Sequence, residues 1–391
     1  MIQRQLLPVI AVAGSRGKST VVRLLDAIFA HAGLRCATWT SSGVEIRGRR
    51  QSGELAPWSR ALSRLAEGTL DVAIQELDWS TVHAVGLPSG VYPVVGVTNI
   101  CVNNDVCLVQ DETRRAIRAY ASVVQAVDPN GVLVLNGEDY AVSGSEVGHR
   151  VATALVAHSR ETPLLRAHLA GGGFGAWCEE DELRSGSLSD SASLCPVKDL
   201  RFALQGRAIF EIHNALTAAA IALLCGVPRT TVAGVLPAFS VPPALLPGSF
   251  NVIEAQGFTA VVDQPAPSWF LRSVLRALGH QKHGRTITVA GHLERLPESD
   301  LMEVGRLVGR ASDVLVLHSH DPNALRASLF RQGAALNDVP PVVVNVPTER
   351  RAVSRTLKLL RPGDTGLFLA DDPGSVIRAL QRAGKSVNLP G

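Results

Sequence analysis

The residues best suited to chemistry lie near the start of the chain, where the apolar residues 8–13 are followed by a glycine-rich turn and a helical pattern. A turn of this kind, between a buried strand and a helix, presents backbone N–H groups and a positive helix terminus to a phosphate group. Lysine neutralises phosphate charge, and a serine hydroxyl can bind Mg²⁺. The predicted phosphate loop and its helix start are Gly14, Ser15, Arg16, Gly17, Lys18, Ser19 and Thr20.

The loop differs from the strict Walker pattern, because Val12 stands where that pattern has its first glycine. The sequence of this segment therefore predicts a shorter variant of the phosphate loop. The alternative is a glycine turn that merely precedes a basic helix start, and the flanking strand and helix patterns argue against it.

A second candidate is Glu76, at the end of the apolar segment DVAIQEL (71–77). A carboxylate at the carboxyl end of a parallel strand is either a ligand or a loop cap. Because the phosphate loop follows a neighbouring apolar segment, we expect Ser19 and Glu76 to bind Mg²⁺ together.

The elements that must position these residues alternate between strand and helix patterns. After the first strand, helix and 71–77, the segments YPVVGVTNI (92–100) and GVLVLNGED (131–139) read as strands around the helical DETRRAIRAYASVVQAV (111–127). Such alternation predicts an α/β fold with a doubly wound, mostly parallel sheet. From about 140 to 210 the short runs broken by Gly and Ser predict a small β-rich lobe.

The Pro-rich break SVPPALLPGS (240–249) predicts a domain boundary. We expect an ATP-binding domain over 1–246 and a second, smaller, Rossmann-like α/β domain over 247–391. In the second part, FTAVVD, TITVAG, DVLVLHS, PVVVNV and TGLFLAD alternate with helical patterns. The segment HSHDPN (318–323) is predicted to be a solvent-exposed loop.

AGSRGKST resembles the ATP loop of the Mur ligases and their relatives, above all the C-terminal module of cyanophycin synthetase and the poly-γ-glutamate synthases. IQELDWS, VTNI, HNALTAAAIA, PGSFNVIE and GHLERLPESDLMEVGRL follow in the order of that family. The resemblance implies an ATP- and Mg²⁺-dependent ligase. It implies that Lys18 and Glu76 are catalytic, that Asn214 contacts adenine, and that Arg295 meets the ribose and phosphates of the nucleotide. Asp263, after FTAVVD, would position the attacking amine or a hinge; His213 and Asn214 are alternatively helix caps.

Several residues depart from the family pattern. Asn103 and Asn104 stand near the place of a metal-binding histidine, although Asp105 could substitute, and Tyr120 stands in the place of a lysine that some members carbamylate. The other departures are Thr217 for an asparagine, Ser249 for an arginine and Ala266 for a histidine. The second metal site is therefore expected to be impaired.

Composition excludes other classes of protein. The 38 basic and 35 acidic residues are spread along the chain, so that nucleic acid is not an expected partner, and no stretch reaches the length of a membrane span. Six cysteines without paired spacing are typical of a reduced cytoplasmic protein. Thirteen residues precede Gly14, which makes a precursor recognised through a UDP group a less fitting substrate.

Two functions stay open at this point. The first is an ATP-dependent amide ligase that activates an amino acid or peptide carboxylate as an acyl phosphate, possibly as a homo-oligomer. The second is a nucleotide-binding, ligation-deficient subunit or regulator of a partner ligase. A P-loop kinase or GTPase fits less well, because the chain shows no NKxD element.

Overall fold

The computed structural model describes residues 8–87, 90–100, 110–143, 151–240, 242–279, 284–318 and 324–385. The chain divides into two compact units, Met1–Ser240 and Val241–Gly391. The division falls within the Pro-rich segment that predicted it. The predicted bounds 1–246 and 247–391, as functional domains, stay a prediction.

The first unit is built on one eleven-stranded sheet in the order β11-β10-β9-β8-β7-β6-β1-β5-β2-β3-β4. Its strands are β1 (Val9–Ala13), β2 (Cys36–Thr40), β3 (Gly43–Ile46), β4 (Arg49–Arg50), β5 (Val72–Leu77), β6 (Tyr92–Val97), β7 (Val127–Asn136), β8 (Ala152–Ser159), β9 (Phe174–Glu179), β10 (Glu182–Gly186) and β11 (Ser191–Pro196). Its helices are α1 (Lys18–His31), α2 (Leu55–Ala66), α3 (Trp79–Val85), α4 (Gln110–Gln125), α5 (Tyr140–Ser143), α6 (Pro163–Ala170), α7 (Ile209–Leu224) and α8 (Arg229–Ala238).

The middle of this sheet is parallel from β9 to β2, and antiparallel strands flank it at both edges. The central strand β1 has the apolar sequence VIAVA, which is typical of a strand covered by helices on both faces. Parallel neighbours β5 and β6 flank β1, so that the loops after these three strands meet at one edge of the sheet.

The segment predicted to form a β-rich lobe does contain β8 to β11, but these strands extend the main sheet. Strand β8 pairs in parallel with β7 over Val132–Asn136, and β9 to β11 follow from it. The short alternating runs identify these strands but not the sheet that they join, because that depends on tertiary packing.

The second unit has a six-stranded sheet in the order β12-β13-β17-β14-β15-β16, parallel except for the β12–β13 pair. The strands are β12 (Asn251–Ala255), β13 (Phe258–Asp263), β14 (Thr286–Ala290), β15 (Val314–His318), β16 (Val342–Val346) and β17 (Thr365–Leu369). The helices are α9 (Ser268–Leu278), α10 (Leu301–Ala311), α11 (Ala324–Ala335), α12 (Glu349–Leu359) and α13 (Pro373–Lys385). The predicted α/β class with a second, smaller α/β unit is confirmed.

Helices cover both sheets through apolar faces. Helix α7 is almost wholly buried and packs against α1 and the strands β7 and β8. In the second unit Phe258, Val262, Phe368 and Ile377 share one apolar cluster. Among the described residues, no helix combines the length and apolar character needed to cross a membrane.

Candidate active site

The predicted phosphate loop lies between β1, which ends at Ala13, and α1, which begins at Lys18. Gly17 precedes the helix with φ 85°, in the left-handed region that glycine adopts readily. Among the described residues no side chain caps the helix start, and the first turn of α1 contains no acidic residue. The first N–H groups of α1 are therefore available to an anion, together with the positive end of the helix dipole.

The residues that follow β6 hold this loop in place. The Ser15 amide donates to the Asn99 carbonyl at 2.9 Å, and the Arg16 amide donates to Asn99 Oδ1 at 3.1 Å. Thr98 Oγ1 and Asn99 Nδ2 donate to the Arg16 carbonyl at 2.7 and 3.1 Å. The segment VTNI, predicted as a strand before a metal loop, is thus also the support of the phosphate loop.

Two glycines make this close packing possible. A Cβ on Gly14 would come within 1.9 Å of Thr98 Oγ1, and one on Gly17 within 2.2 Å of Asn214 Oδ1. Any larger residue at these positions would push the loop away from its supports. The glycine pattern is therefore required by the tertiary contacts as well as by the turn.

Ser19 and Glu76, predicted to bind metal together, are in direct contact. Ser19 Oγ donates to Glu76 Oε2 at 2.5 Å, and Ser41 Oγ lies 3.4 Å from Ser19 Oγ. Register places Glu76 beside Val12 on the adjacent strand, one residue before the end of β5. A hydroxyl and a carboxylate oxygen are ligands that Mg²⁺ prefers.

The described residues contain no group of three or more His, Cys, Asp and Glu side chains that could hold a metal ion. Mg²⁺ in nucleotide sites is usually held by one or two carboxylates, substrate phosphates and water, so that such a group is not required. The Ser19–Glu76 pair beside the phosphate loop fits this ion.

Asp78, which caps the start of α3, was not predicted from the sequence. Asp78 Oδ1 lies 3.6 Å from Lys18 Nζ, and the side chain accepts a hydrogen bond from the Ser80 amide. Burial opposes ionisation of Asp78, but hydrogen bonds from Ser80 and the charge of Lys18 outweigh it and hold the pKa below its ordinary value. The sequence does contain a signal for this residue: Asp is a preferred helix cap, and Asp78 stands two residues after Glu76, directly before a helix.

Asn214 is buried against the phosphate loop, with 4% of its surface exposed. Its Nδ2 donates to Glu211 Oε2 at 2.9 Å. The predicted adenine contact stays a prediction. The alternative of helix capping by His213 and Asn214 is wrong, because α7 begins four residues earlier, at Ile209, and both side chains lie inside the helix.

His213 contacts Glu138, which follows β7; His213 Nε2 and Glu138 Oε2 are 2.8 Å apart. Glu138 Oε1 also accepts hydrogen bonds from the His158 amide and Thr162 Oγ1, both at 3.1 Å. Burial opposes ionisation of Glu138, but His213 and these donors lower its pKa to about 2. This cluster joins β7 and β8 to the helix that carries Asn214.

The departures from the family pattern fall into two groups. Asn103, Asn104 and Asp105 lie outside the described residues. Tyr120 is 1% exposed; its hydroxyl donates to the Val142 carbonyl at 3.0 Å, and its ring packs against Trp79. Thr217 is equally buried and donates to the His213 carbonyl at 2.8 Å. Tyr120 and Thr217 therefore contribute to the packing of the core.

In the second unit, Asp263 ends β13 and is 2% exposed. Its Oδ1 accepts the Gln264 amide at 2.7 Å, and its carbonyl accepts the Ala370 amide at 2.8 Å. Ala266, in the place of the family histidine, is also buried. The predicted role of Asp263 towards an amine stays a prediction.

Arg295 is half exposed, in a short 3₁₀ turn after β14, and pairs with Asp371 beyond β17. His292 Nε2 lies 3.5 Å from Asp371 Oδ2, and His292 Nδ1 lies 2.9 Å from Glu294 Oε1. These polar side chains gather at the carboxyl edge of the second sheet, where an open α/β sheet binds ligands. A nucleotide contact by Arg295 stays a prediction.

The prediction of a solvent-exposed loop is wrong for His318, the first residue of HSHDPN. His318 ends β15, is 1% exposed and packs edge-to-face on His292, with ring centroids 5.3 Å apart. Gly291 leaves room for this ring, since a Cβ there would come within 2.3 Å of it. Residues 319–323 lie outside the described residues.

No family model matches the chain. Among curated proteins, the cyanophycin synthetases of Synechocystis sp. and Nostoc sp. are each 24% identical to it, over 81% and 96% of this chain but only 36% and 42% of their own lengths. A UDP-N-acetylmuramoyl-L-alanyl-D-glutamate–2,6-diaminopimelate ligase from Chelativorans sp. is 22% identical over 91% of this chain and 71% of its own. The chain thus spans less than half the length of the cyanophycin synthetases that it matches.

Solved structures share the fold. E. coli FolC in complex with ADP superimposes with a TM-score of 0.66 at 15% identity, over 98% of this chain and 92% of its own. The MurF ligase from Thermotoga maritima in complex with ADP superimposes with a TM-score of 0.62 at 16% identity, over 97% and 81%. With the sequence likeness to cyanophycin synthetases and the motif order, these findings confirm the predicted resemblance to the Mur ligases, and the solved structures show that the chain shares their fold.

Proposed function

We propose that the chain is an ATP-dependent ligase that joins a carboxylate to an amine through an acyl phosphate. The observation that carries this proposal is the phosphate loop with Lys18, Ser19 and Glu76 at its helix start, in a fold shared with ADP complexes of related ligases. A carboxylate does not condense with an amine at neutral pH without activation, so ATP must supply the leaving group.

The proposed reaction has two steps. A carboxylate oxygen attacks the γ-phosphorus of ATP and ADP leaves; the amine nitrogen then attacks the acyl carbon, loses a proton, and inorganic phosphate leaves. Lys18 and the N–H groups of α1 stabilise the charge on the phosphoryl oxygens. Asp78 holds the Lys18 ammonium near the loop.

Mg²⁺ is part of this proposal. Ser19 and Glu76 would hold it, and it would neutralise charge on the transferring phosphoryl group. The contact between Ser19 Oγ and Glu76 Oε2 supports this assignment.

The remaining nucleotide and substrate roles rest on the family resemblance. We assign the adenine contact to Asn214, a contact with ribose or phosphate to Arg295, and the positioning of the amine to Asp263. The half-exposed guanidinium of Arg295 supports its role, whereas the burial of Asn214 requires adenine to reach the edge of its amide.

The proposed substrates are amino acids or peptides, in keeping with the names of the similar proteins. A cytoplasmic location is proposed because ATP and reduced thiols are found there. The four described cysteines, 36, 178, 195 and 225, are all free thiols. Assembly into a homo-oligomer is part of the same proposal.

The test is ATP-dependent phosphate release by the purified chain with Mg²⁺, alone and with pooled amino acids and dipeptides. We expect release to rise only when an acid and an amine are both present. Lys18→Ala should abolish the rise, whereas Lys358→Ala, at an exposed position on α12, should not. Nucleotide binding without any such rise would contradict ligation and would instead fit a ligation-deficient subunit.

A further inference from the structure

An open basin with a volume of about 840 Å³ lies on the first unit, away from the phosphate loop. Its walls come from the β3–β4 hairpin, the end of α2 and the start of β5. Arg47, Arg49 and Arg64 line it beside Glu67. The volume lies within the range of pockets that bind small molecules.

The basin lies at the amino end of strand β5, and the phosphate loop lies at its carboxyl end. Leu70 and Thr69 precede β5, whose first pairing with β2 joins Val72 to Cys36. The phosphate loop follows Ala13, which pairs with Leu77 at the other end of β5. The basin is therefore a separate site from the one proposed for ATP.

Three arginines and one glutamate line the basin, so that its lining carries more positive than negative charge. Among the described residues, no carboxylate lies within ion-pair distance of Arg47, Arg49 or Arg64. The Arg47 guanidinium donates to the Thr69 carbonyl at 2.9 Å. Three guanidinium groups around one opening are a set of donors suited to carboxylate or phosphate oxygens.

A neighbouring arginine shows the contrast. Arg35 binds Asp71 through Nε and Nη2, at 2.8 and 2.7 Å. Hydrogen bonds from Arg35 are the main cause that lowers the pKa of Asp71 to about 2. Asp71 is thus already engaged by Arg35; the charge of Arg47 also acts on Asp71, but among the described residues no basin arginine forms an ion pair of this kind.

The floor of the basin is fixed by packing. Ile46 and Leu70 are 5% and 3% exposed and belong to one apolar cluster with Trp58. The Thr69 and Leu70 amides both donate to the Arg64 carbonyl, which joins the end of α2 to the start of β5. The walls that carry the arginines therefore stand on ordered elements, and little reorganisation is needed for binding.

We propose that this basin binds a small polyanion with at least two phosphate or carboxylate groups. Guanidinium groups from the hairpin and from α2 contact the acid groups, and Gln51 and Thr69 supply further polar contacts at the wall. The repulsion from Glu67 favours ligands whose acid groups lie on the side of the arginines. A ligand with a single acid group would engage only one wall and is bound more weakly.

The proposal is tested by calorimetric titration of the full chain with tripolyphosphate and, separately, with citrate at low ionic strength. Lys18→Ala serves as the background, because it weakens competing binding at the phosphate loop. We expect one polyanion to bind per chain. The double variant Arg49→Gln/Arg64→Gln should weaken binding at least tenfold. It should fold like the parent, because neither arginine side chain makes a hydrogen bond among the described residues.

The matched control is Arg50→Gln/Arg60→Gln, which removes the same charge from the same two elements outside the basin lining. We expect this control to change the affinity less than twofold. Binding of tripolyphosphate alone would identify phosphate groups as the ligand chemistry, and binding of citrate alone would identify carboxylates. If neither ligand binds, or both double variants lose affinity equally, the proposal is overturned. Ligation is not needed for this test, so its outcome is independent of the proposed function.

Discussion

At the scale of residues, the phosphate loop is a set of mutually dependent contacts. Gly17 allows Asn214 to lie against the loop, and Ser19 and Glu76 bring a hydroxyl and a carboxylate together. Lys18 and Asp78 place opposite charges beside the same helix start. Each contact can be tested by one substitution, with a control of similar chemistry elsewhere in the chain.

Gly17→Ala should lower ADP affinity at least tenfold, because the new Cβ would displace Asn214 or the loop. Gly33→Ala is the matched control, since Gly33 has φ 84°, close to the 85° of Gly17, but no atom within 4 Å of an added Cβ. In Gly33→Ala the free energy of unfolding should fall by about 1 kcal/mol, the cost of placing an alanine in the left-handed region. Calorimetric titration with ADP and thermal unfolding measure both effects. Equal losses of affinity in the two variants would contradict the packing role of Gly17.

Glu76→Gln should remove the dependence of nucleotide binding on Mg²⁺, because glutamine keeps an acceptor for Ser19 but lacks the charge that attracts the ion. Phosphate release should fall by about 10²-fold, the scale of losing one charge-stabilising group. Titrations with ADP, with and without Mg²⁺, give the readout, and Glu54→Gln, at an exposed position before α2, is the control. An undiminished Mg²⁺ effect in Glu76→Gln would show that another residue holds the ion.

At the scale of elements, the site depends on strands that end beside one another. The carboxyl ends of β1, β5 and β6 supply the phosphate loop, Glu76 and Thr98. Helix α7 packs across this edge and is tied to β7 and β8 through His213 and Glu138. A substitution that displaces any of these elements should therefore change the affinity for the nucleotide.

Thr98→Val should weaken ADP binding several-fold, because it removes the Oγ1 hydroxyl, which donates its one proton to the Arg16 carbonyl at 2.7 Å and lies 3.3 Å from the Ala13 carbonyl. Loss of such a bond costs about 1 kcal/mol of stability. Thr153→Val removes a local bond to the Val151 carbonyl and is the control. ADP affinity is measured for both variants. A similar small change in both would show that β6 does not support the loop in this way.

Protonation of Glu138 makes the free energy of unfolding depend on pH. Its folded pKa of about 2 lies below the ordinary value of 4.5, so its contribution is fully present above pH 4.5 and is lost as the pH falls towards 2. Glu138→Gln should therefore be less stable than the parent at pH 6, with a difference that narrows by pH 3. Urea unfolding at pH 6, 4.5 and 3 measures it. A difference that stays constant with pH would contradict the lowered pKa of Glu138.

At the scale of the whole molecule, the sequence predicts local patterns well and long-range contacts poorly. The strand, glycine loop and helix around Lys18 are contiguous, so their arrangement follows from adjacent residues. The packing of Asn214 under Gly17 depends on residues far apart in the chain, and the joining of β8 to β11 to the main sheet and the burial of His318 depend on how whole elements pack. No local signal specifies such contacts.

The same distinction applies to the candidate site. Ser19 and Glu76 lie together, as predicted, because Ser19 follows β1, Glu76 lies near the end of β5, and these parallel strands end side by side; their binding of Mg²⁺ stays a prediction. Asp78 was missed because its role depends on where α3 begins. Likewise, the polar pair His213 and Asn214 predicts a helix start at His213, whereas α7 begins at Ile209.

The central claim, activation of a carboxylate as an acyl phosphate, is tested most directly by isotope transfer. An acid that supports phosphate release is labelled with ¹⁸O in its carboxylate and supplied with ATP, Mg²⁺ and the amine. We expect inorganic phosphate to carry one ¹⁸O from the acid for each amide formed, as read by mass spectrometry, and Lys18→Ala to give none. Amide formation with unlabelled phosphate, or with ¹⁸O found in AMP, would contradict the account.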